Sequence, residues 1–109
     1  MDKNEVLNKI SKIIPIIKRH IDLDLLVLFG SYAKGNPSEK SDIDIAVVSK
    51  DIPRGILNDT VVDALIGIRD VDLKFEPHFF RTEKWENPEY GSFIEYIKKY
   101  GEVIYSNGL

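Results

Sequence analysis

At 109 residues, with 43% hydrophobic and 30% charged side chains, the chain has the composition of a globular protein with one core, which excludes disordered and fibrous classes. A formal net charge of -3 argues against a surface built to neutralise long nucleic acids, and zero cysteines leave only oxygen or imidazole ligands for any metal. The first segment, "MDKNEVLNKISK", lacks the pattern of a secretory leader and no apolar run reaches membrane-spanning length, so a cytoplasmic protein with a single domain over 1–109 and no membrane partner is expected.

From Asn4 to His20 the apolar residues Val6, Leu7, Ile10, Ile13, Ile14 and Ile17 recur at helical spacing, with Pro15 predicting a kink or a late start near Ser11. Leu23 to Phe29 reads as a strand buried on both faces and ended by Gly30. "SYAKGNPSEKS" predicts a short helical turn and then an exposed loop. In "DIDIAVV", residues 42–48, alternation sets Asp42 and Asp44 on one face of a strand and Ile43 and Ile45 on the other. A second long helix is expected to open at Pro53, carry Leu57, Val61, Leu65 and Ile68 as a stripe, and close near Gly67. "RDVDLKFEPHFF" resumes a period of two, with Val71, Leu73 and Phe75 inward, Asp70, Asp72, Lys74 and Glu76 on the opposite face, and Pro77 ending the pairing. A last helix bears Phe93, Ile94 and Ile97 and stops at Gly101, before "EVIYS" as an edge strand. The fold class is therefore α/β of the α+β type, a small mixed sheet of about four strands packed with helices.

Chemistry concentrates in "LFGSYAKGNPSEKSDIDIAVV", residues 28–48. A glycine after a buried strand permits a sharp turn and a close backbone approach to a ligand, and amides opening the next helix suit phosphate oxygens. Two carboxylates on one strand face repel unless a cation joins them, and oxygen-only ligation favours Mg²⁺ or Mn²⁺. Alone, a Gly-Ser is a turn and an Asp-x-Asp a solvated strand face; their combination points to a metal-bound phosphate.

Gly30-Ser31, ten intervening residues, and Asp42-Ile43-Asp44 resemble the signature of the DNA polymerase beta-like nucleotidyltransferase superfamily, most closely its small stand-alone branch, the minimal nucleotidyltransferases. The resemblance implies a polymerase beta-like fold and a third carboxylate on a later strand, carried onto Asp72, with Glu76 and Asp70 as competitors on the same face. It implies that Asp42, Asp44 and Asp72 hold Mg²⁺ or Mn²⁺ and do the catalytic work, while Gly30, Ser31, Lys34 and Ser41 contact the nucleotide. Lys34 stands where many members carry arginine.

The implied reaction moves a nucleoside monophosphate, AMP from ATP, to a hydroxyl. The implied partner is a HEPN-domain protein, this chain being the antitoxin of the pair. The alternative is a non-catalytic partner-binding antitoxin or scaffold with a vestigial metal site, a role to which the aromatic C-terminal third could lend a surface. His20 and His78 have no second imidazole at metal spacing and read as surface or structural histidines. Oligomeric state and base preference leave no mark in the sequence.

Overall fold

The computed structural model describes residues 1–55 and 58–108. Its elements run α1 (Lys3–Lys18), β1 (Leu25–Phe29), α2 (Ser31–Lys34), β2 (Ile43–Ser49), α3 (Asp59–Val71), β3 (Phe75–Arg81), α4 (Thr82–Glu86), α5 (Phe93–Tyr100) and β4 (Glu102–Ser106). The four strands form one mixed sheet in the order β3-β2-β1-β4, antiparallel except for the parallel pair β2 and β3 that α3 connects.

Strand alternation divides the core into two layers. On one face Leu26, Leu28, Ile43, Ile45, Val47 and Phe75 pack under α1 and α3 through Val6, Ile10, Ile13, Ile17, Val61 and Ile68. On the other, Leu25, Val27, Phe29, Ala46 and Val48 meet Trp85 of α4 and Ile97 of α5. All five residues of β1 are buried, as a central strand covered on both faces requires.

Several boundaries depart from the sequence reading. α1 starts at Lys3, where the Asp2 side chain accepts from the Glu5 amide, and runs through Pro15 to Lys18. Pro15 removes the donor for the Ser11 carbonyl, but both residues are exposed, so water can take its place. α3 opens at Asp59 rather than Pro53, because the Asn58 side chain caps it by accepting from the Val61 amide. Its buried stripe is Val61, Ala64 and Ile68, with Leu65 half-buried; the expected stripe residue Leu57 lies outside the described residues.

Gly67 does not close α3. A Cβ there would stand 2.6 Å from Ile16 Cγ2, so the glycine lets α3 approach α1 and the helix continues to Val71. The strand expected from Asp70 onward therefore begins only at Phe75, and Leu73, expected inward, is exposed. Pro77 does not end the pairing: β3 is an edge strand, where alternate amides face no neighbour, and its register continues to Arg81. The short helix α4, with buried Trp85, was not foreseen, since five residues are too few to show a period.

Candidate active site

The turn after β1 and the start of β2 meet because these two strands are antiparallel neighbours in which Phe29 pairs with Asp44. Gly30 has φ +74° and ψ -151°, a conformation open to glycine and strained for any other residue. A Cβ at this position would lie 2.4 Å from Asp44 Oδ2, so the missing side chain is what lets the carboxylate rest against the turn. α2 follows with no side-chain cap, leaving its first-turn amides without an intrahelical partner, and buried Tyr32 pins it to the core.

Asp42 is exposed immediately before β2, and Asp44 keeps 27% of its side chain accessible. Burial pushes the Asp44 carboxyl above the usual aspartate range; His78 opposes this and the charge of Asp42 reinforces it. Among the described residues no lysine or arginine comes within ion-pair distance of either carboxylate; the neighbour of Asp44 is His78, whose Nε2 stands 3.6 Å from Oδ1. At that separation there is no hydrogen bond, and this buried nitrogen has no other partner among the described residues. Phe29 and Phe93 flank the imidazole, with ring centroids 5.2 Å and 5.6 Å away. His78 thus belongs to the site region. Its signal in the sequence was its period-two relation to Glu76 on β3, legible only once β3 is in register with β2.

Asp72 does not sit on a strand. It caps the C-terminus of α3, accepts from Lys9 Nζ of α1 at 2.5 Å and from the Lys74 amide at 2.8 Å, and these bonds hold its carboxyl below the usual range. Since α1 covers the sheet face opposite Asp44, Asp72 is turned away from Asp42 and Asp44. Asp70 is still within α3. Glu76, one residue past inward-facing Phe75 and directly across from Asp44 in the parallel register, is the acid that shares the face of Asp44.

Of the expected nucleotide contacts, Gly30 lies against Asp44 and Ser31 follows it as the first residue of α2, whereas two others are engaged elsewhere. Lys34 Nζ lies over the rings of Tyr96 and Tyr100, 5.3 Å and 5.8 Å from their centroids, and Tyr96 raises its pKa. Ser41 Oγ accepts from the Ser38 amide at 2.8 Å and closes the turn before Asp42. Lys74 Nζ donates to the Glu39 carbonyl at 2.6 Å and ties that loop to the entry of β3.

Two carboxylates without a fixed lysine or arginine, one held against a glycine turn, fit a hard divalent cation that completes its sphere with phosphate oxygens and water. Among the described residues no group of three His, Asp, Glu or Cys side chains is disposed to hold a metal ion by itself. The donor set therefore suits a cation that arrives with a polyphosphate.

A mixed α+β sheet with a glycine turn against an Asp-x-Asp strand defines a nucleotidyltransferase-type domain. The sequence profile of the polymerase beta nucleotidyltransferase family matches residues 11–108, and the chain belongs to that family. Two Methanocaldococcus jannaschii proteins provisionally named protein adenylyltransferases are 39% identical over 54 residues and 38% identical over 53, covering 50% and 49% of this chain. Those matches span only 33% and 52% of the relatives' own length.

The fold is similar to a crystal structure described as a nucleotidyltransferase from Sulfolobus solfataricus, with TM-score 0.66, 18% identity, and coverage of 96% of this chain and 84% of that one. It is also similar to a chain of a toxin–antitoxin complex with AMP-PNP, with TM-score 0.60 and 24% identity over 94% of this chain and 74% of that one. A complex of a tri-AMPylated Shewanella oneidensis HEPN toxin with an MNT antitoxin gives TM-score 0.53 and 21% identity, over 95% of this chain and 72% of that one.

Proposed function

We propose that this chain transfers AMP from ATP to a hydroxyl group of a protein acceptor, and that Asp42, Asp44 and Glu76 are its acid set. The observation that carries the reading is the contact of Gly30 with Asp44: a backbone turn with free amides is held against a carboxylate that has a second carboxylate beside it and, among the described residues, no fixed lysine or arginine. Glu76 rather than Asp72 is the proposed third acid, supported by the pairing of Glu76 with Asp44 in the parallel register and by the engagement of Asp72 with Lys9.

Mg²⁺ or Mn²⁺, held by Asp42 and Asp44 with the triphosphate, would supply charge neutralisation at phosphorus and a lowered pKa for the acceptor hydroxyl. The chain does the rest by position. Amides of the Gly30–Ser31 turn hold phosphate oxygens, so the nucleotide is fixed without a side chain in the way. Glu76, across the register from Asp44, is placed to take the proton that the acceptor hydroxyl loses as it attacks the α-phosphorus and pyrophosphate leaves.

The named adenylyltransferase relatives support a protein acceptor, and the likeness in fold to HEPN–MNT complexes supports a HEPN-domain protein as the partner. Incubation of the chain with Mg²⁺, α-labelled ATP and a HEPN-domain protein encoded beside it is expected to label that protein, and Asp44→Asn to stop the labelling. A complex that forms without any transfer, unchanged by Asp44→Asn, would sink the enzyme reading in favour of a binding antitoxin.

A further inference from the structure

Beside the Gly30–Asp44 contact runs a strip of aromatic rings that rests on the core through Phe93 and Phe29 and that the acid set does not use. It begins at His78, 3.6 Å from Asp44, and passes to Phe93, the first residue of α5. Phe93 lies nearly parallel to Tyr96, at 17° with centroids 6.4 Å apart, and Tyr96 lies 5.1 Å from Tyr100. α5 is anchored by fully buried Ile97, yet Phe93, Tyr96 and Tyr100 keep 48%, 38% and 50% of their surface exposed. Lys34, at the end of the helix that Gly30 opens, places its ammonium over Tyr96 and Tyr100.

Resting on the reading of a nucleotide held at Gly30 and Asp44, we infer that the outer face of α5 is the platform on which the nucleobase stacks, with the parallel rings of Phe93 and Tyr96 as its floor and Lys34, whose ammonium lies over Tyr96, sharing that face. The strip is continuous with the phosphate turn at both ends: through His78 to Asp44, and through Lys34 along α2 back to Gly30. Among the described residues, the exposed rings of Phe93, Tyr96 and Tyr100 are joined through His78 to Asp44 by successive close contacts, whereas Tyr90, the most exposed, makes no ring contact with them. Stacking on ring faces grows with the area of the base, so the strip favours large bases over small ones.

Calorimetry with Mg²⁺ tests this with ATP, GTP, CTP and inorganic tripolyphosphate as ligands. Base stacking contributes about 1–3 kcal/mol, so ATP and GTP are expected to bind about 5- to 150-fold tighter than tripolyphosphate, with CTP between. Tyr96→Ala should remove most of that margin and leave tripolyphosphate binding unchanged, while Tyr96→Phe restores it. Tyr96 belongs to neither buried cluster and alanine is a good helix former, so Tyr96→Ala is expected to fold, with a modest fall in Tm from its lost contacts with Phe93, Tyr100 and Lys34. Three outcomes overturn the inference. Equal wild-type affinities for ATP and tripolyphosphate, or an ATP affinity indifferent to both Tyr96→Ala and Phe93→Leu, would leave the strip to a protein partner. Equal weakening of ATP and tripolyphosphate would mean that the substitution acts through the phosphate turn. Failure of wild type to bind either ligand would be distinct, because it would remove the nucleotide site itself.

Discussion

Asp44 is the residue on which stability and chemistry pull apart. Its carboxyl is raised by burial, so the folded state binds the proton more tightly than the unfolded chain, and the charged form present at neutral pH costs stability. Asp44→Asn is expected to lower transfer about 100-fold or more and to raise the Tm, each 1 kcal/mol of relief appearing as about 4–8 °C in thermal melts. The third acid is decided by two substitutions read in one assay. Glu76→Gln should abolish transfer with little change in Tm, because its side chain is exposed. Asp72→Asn should keep transfer and cost about 1–2 kcal/mol, because it weakens the bonds to Lys9 and to the Lys74 amide. The reverse pattern would return the role to Asp72.

At the scale of elements, the site depends on how closely the α1–α3 layer packs. Gly67 stands where any Cβ would press on Ile16 across the helix pair. Gly67→Val is expected to destabilise by about 1–3 kcal/mol in urea unfolding, and Ile16→Ala in the same chain to recover part of it by vacating the contact. Without that recovery the packing account of Gly67 fails, since a β-branched residue costs helix propensity whichever side chain faces it. The same helix pair explains the fate of Asp72: α3 runs on past Gly67 to Val71, and its capping residue is handed to Lys9 of α1.

Across the whole molecule, distant ends of the chain are tied at Asp24, a buried carboxylate just before β1. Thr82 of α4 donates its hydroxyl to Oδ2 at 2.5 Å, the Asn107 side chain donates to Oδ1 at 2.7 Å, and the Asn107 amide donates to the Asp24 carbonyl at 3.0 Å. Asp24→Ala strands the two side-chain donors and is expected to cost about 2–3 kcal/mol, a fall in Tm of about 10 °C or more in calorimetric scans. Acid unfolding has a contribution of known sign from Asp72. Its folded carboxyl lies below the ordinary value of 3.8, so its stabilisation is complete above that pH and is lost as pH falls through the folded value. Below about pH 4 the Tm of wild type should therefore fall more steeply than that of Asp72→Asn.

The local patterns carried most of the architecture. Periodicity alone determined α1, the buried β1, the alternation in β2 and the amphipathic α5, because burial on one face writes itself into residue spacing. The glycine turn and the paired aspartates were also legible, being only a few residues from the strands that deliver them. Tertiary structure decided whatever depended on a partner from elsewhere in the chain. Asp72 and Glu76 are carboxylates four positions apart, and both fit the period-two pattern of "VDLKFEP". Their separation into a capping residue bound to Lys9 and a strand residue facing Asp44 follows from where α3 stops and how β3 registers with β2. The placement of His78 and the exposure of the α5 rings were hidden for the same reason. A spacing rule reports which side of its own element a residue occupies, and only packing decides what stands opposite.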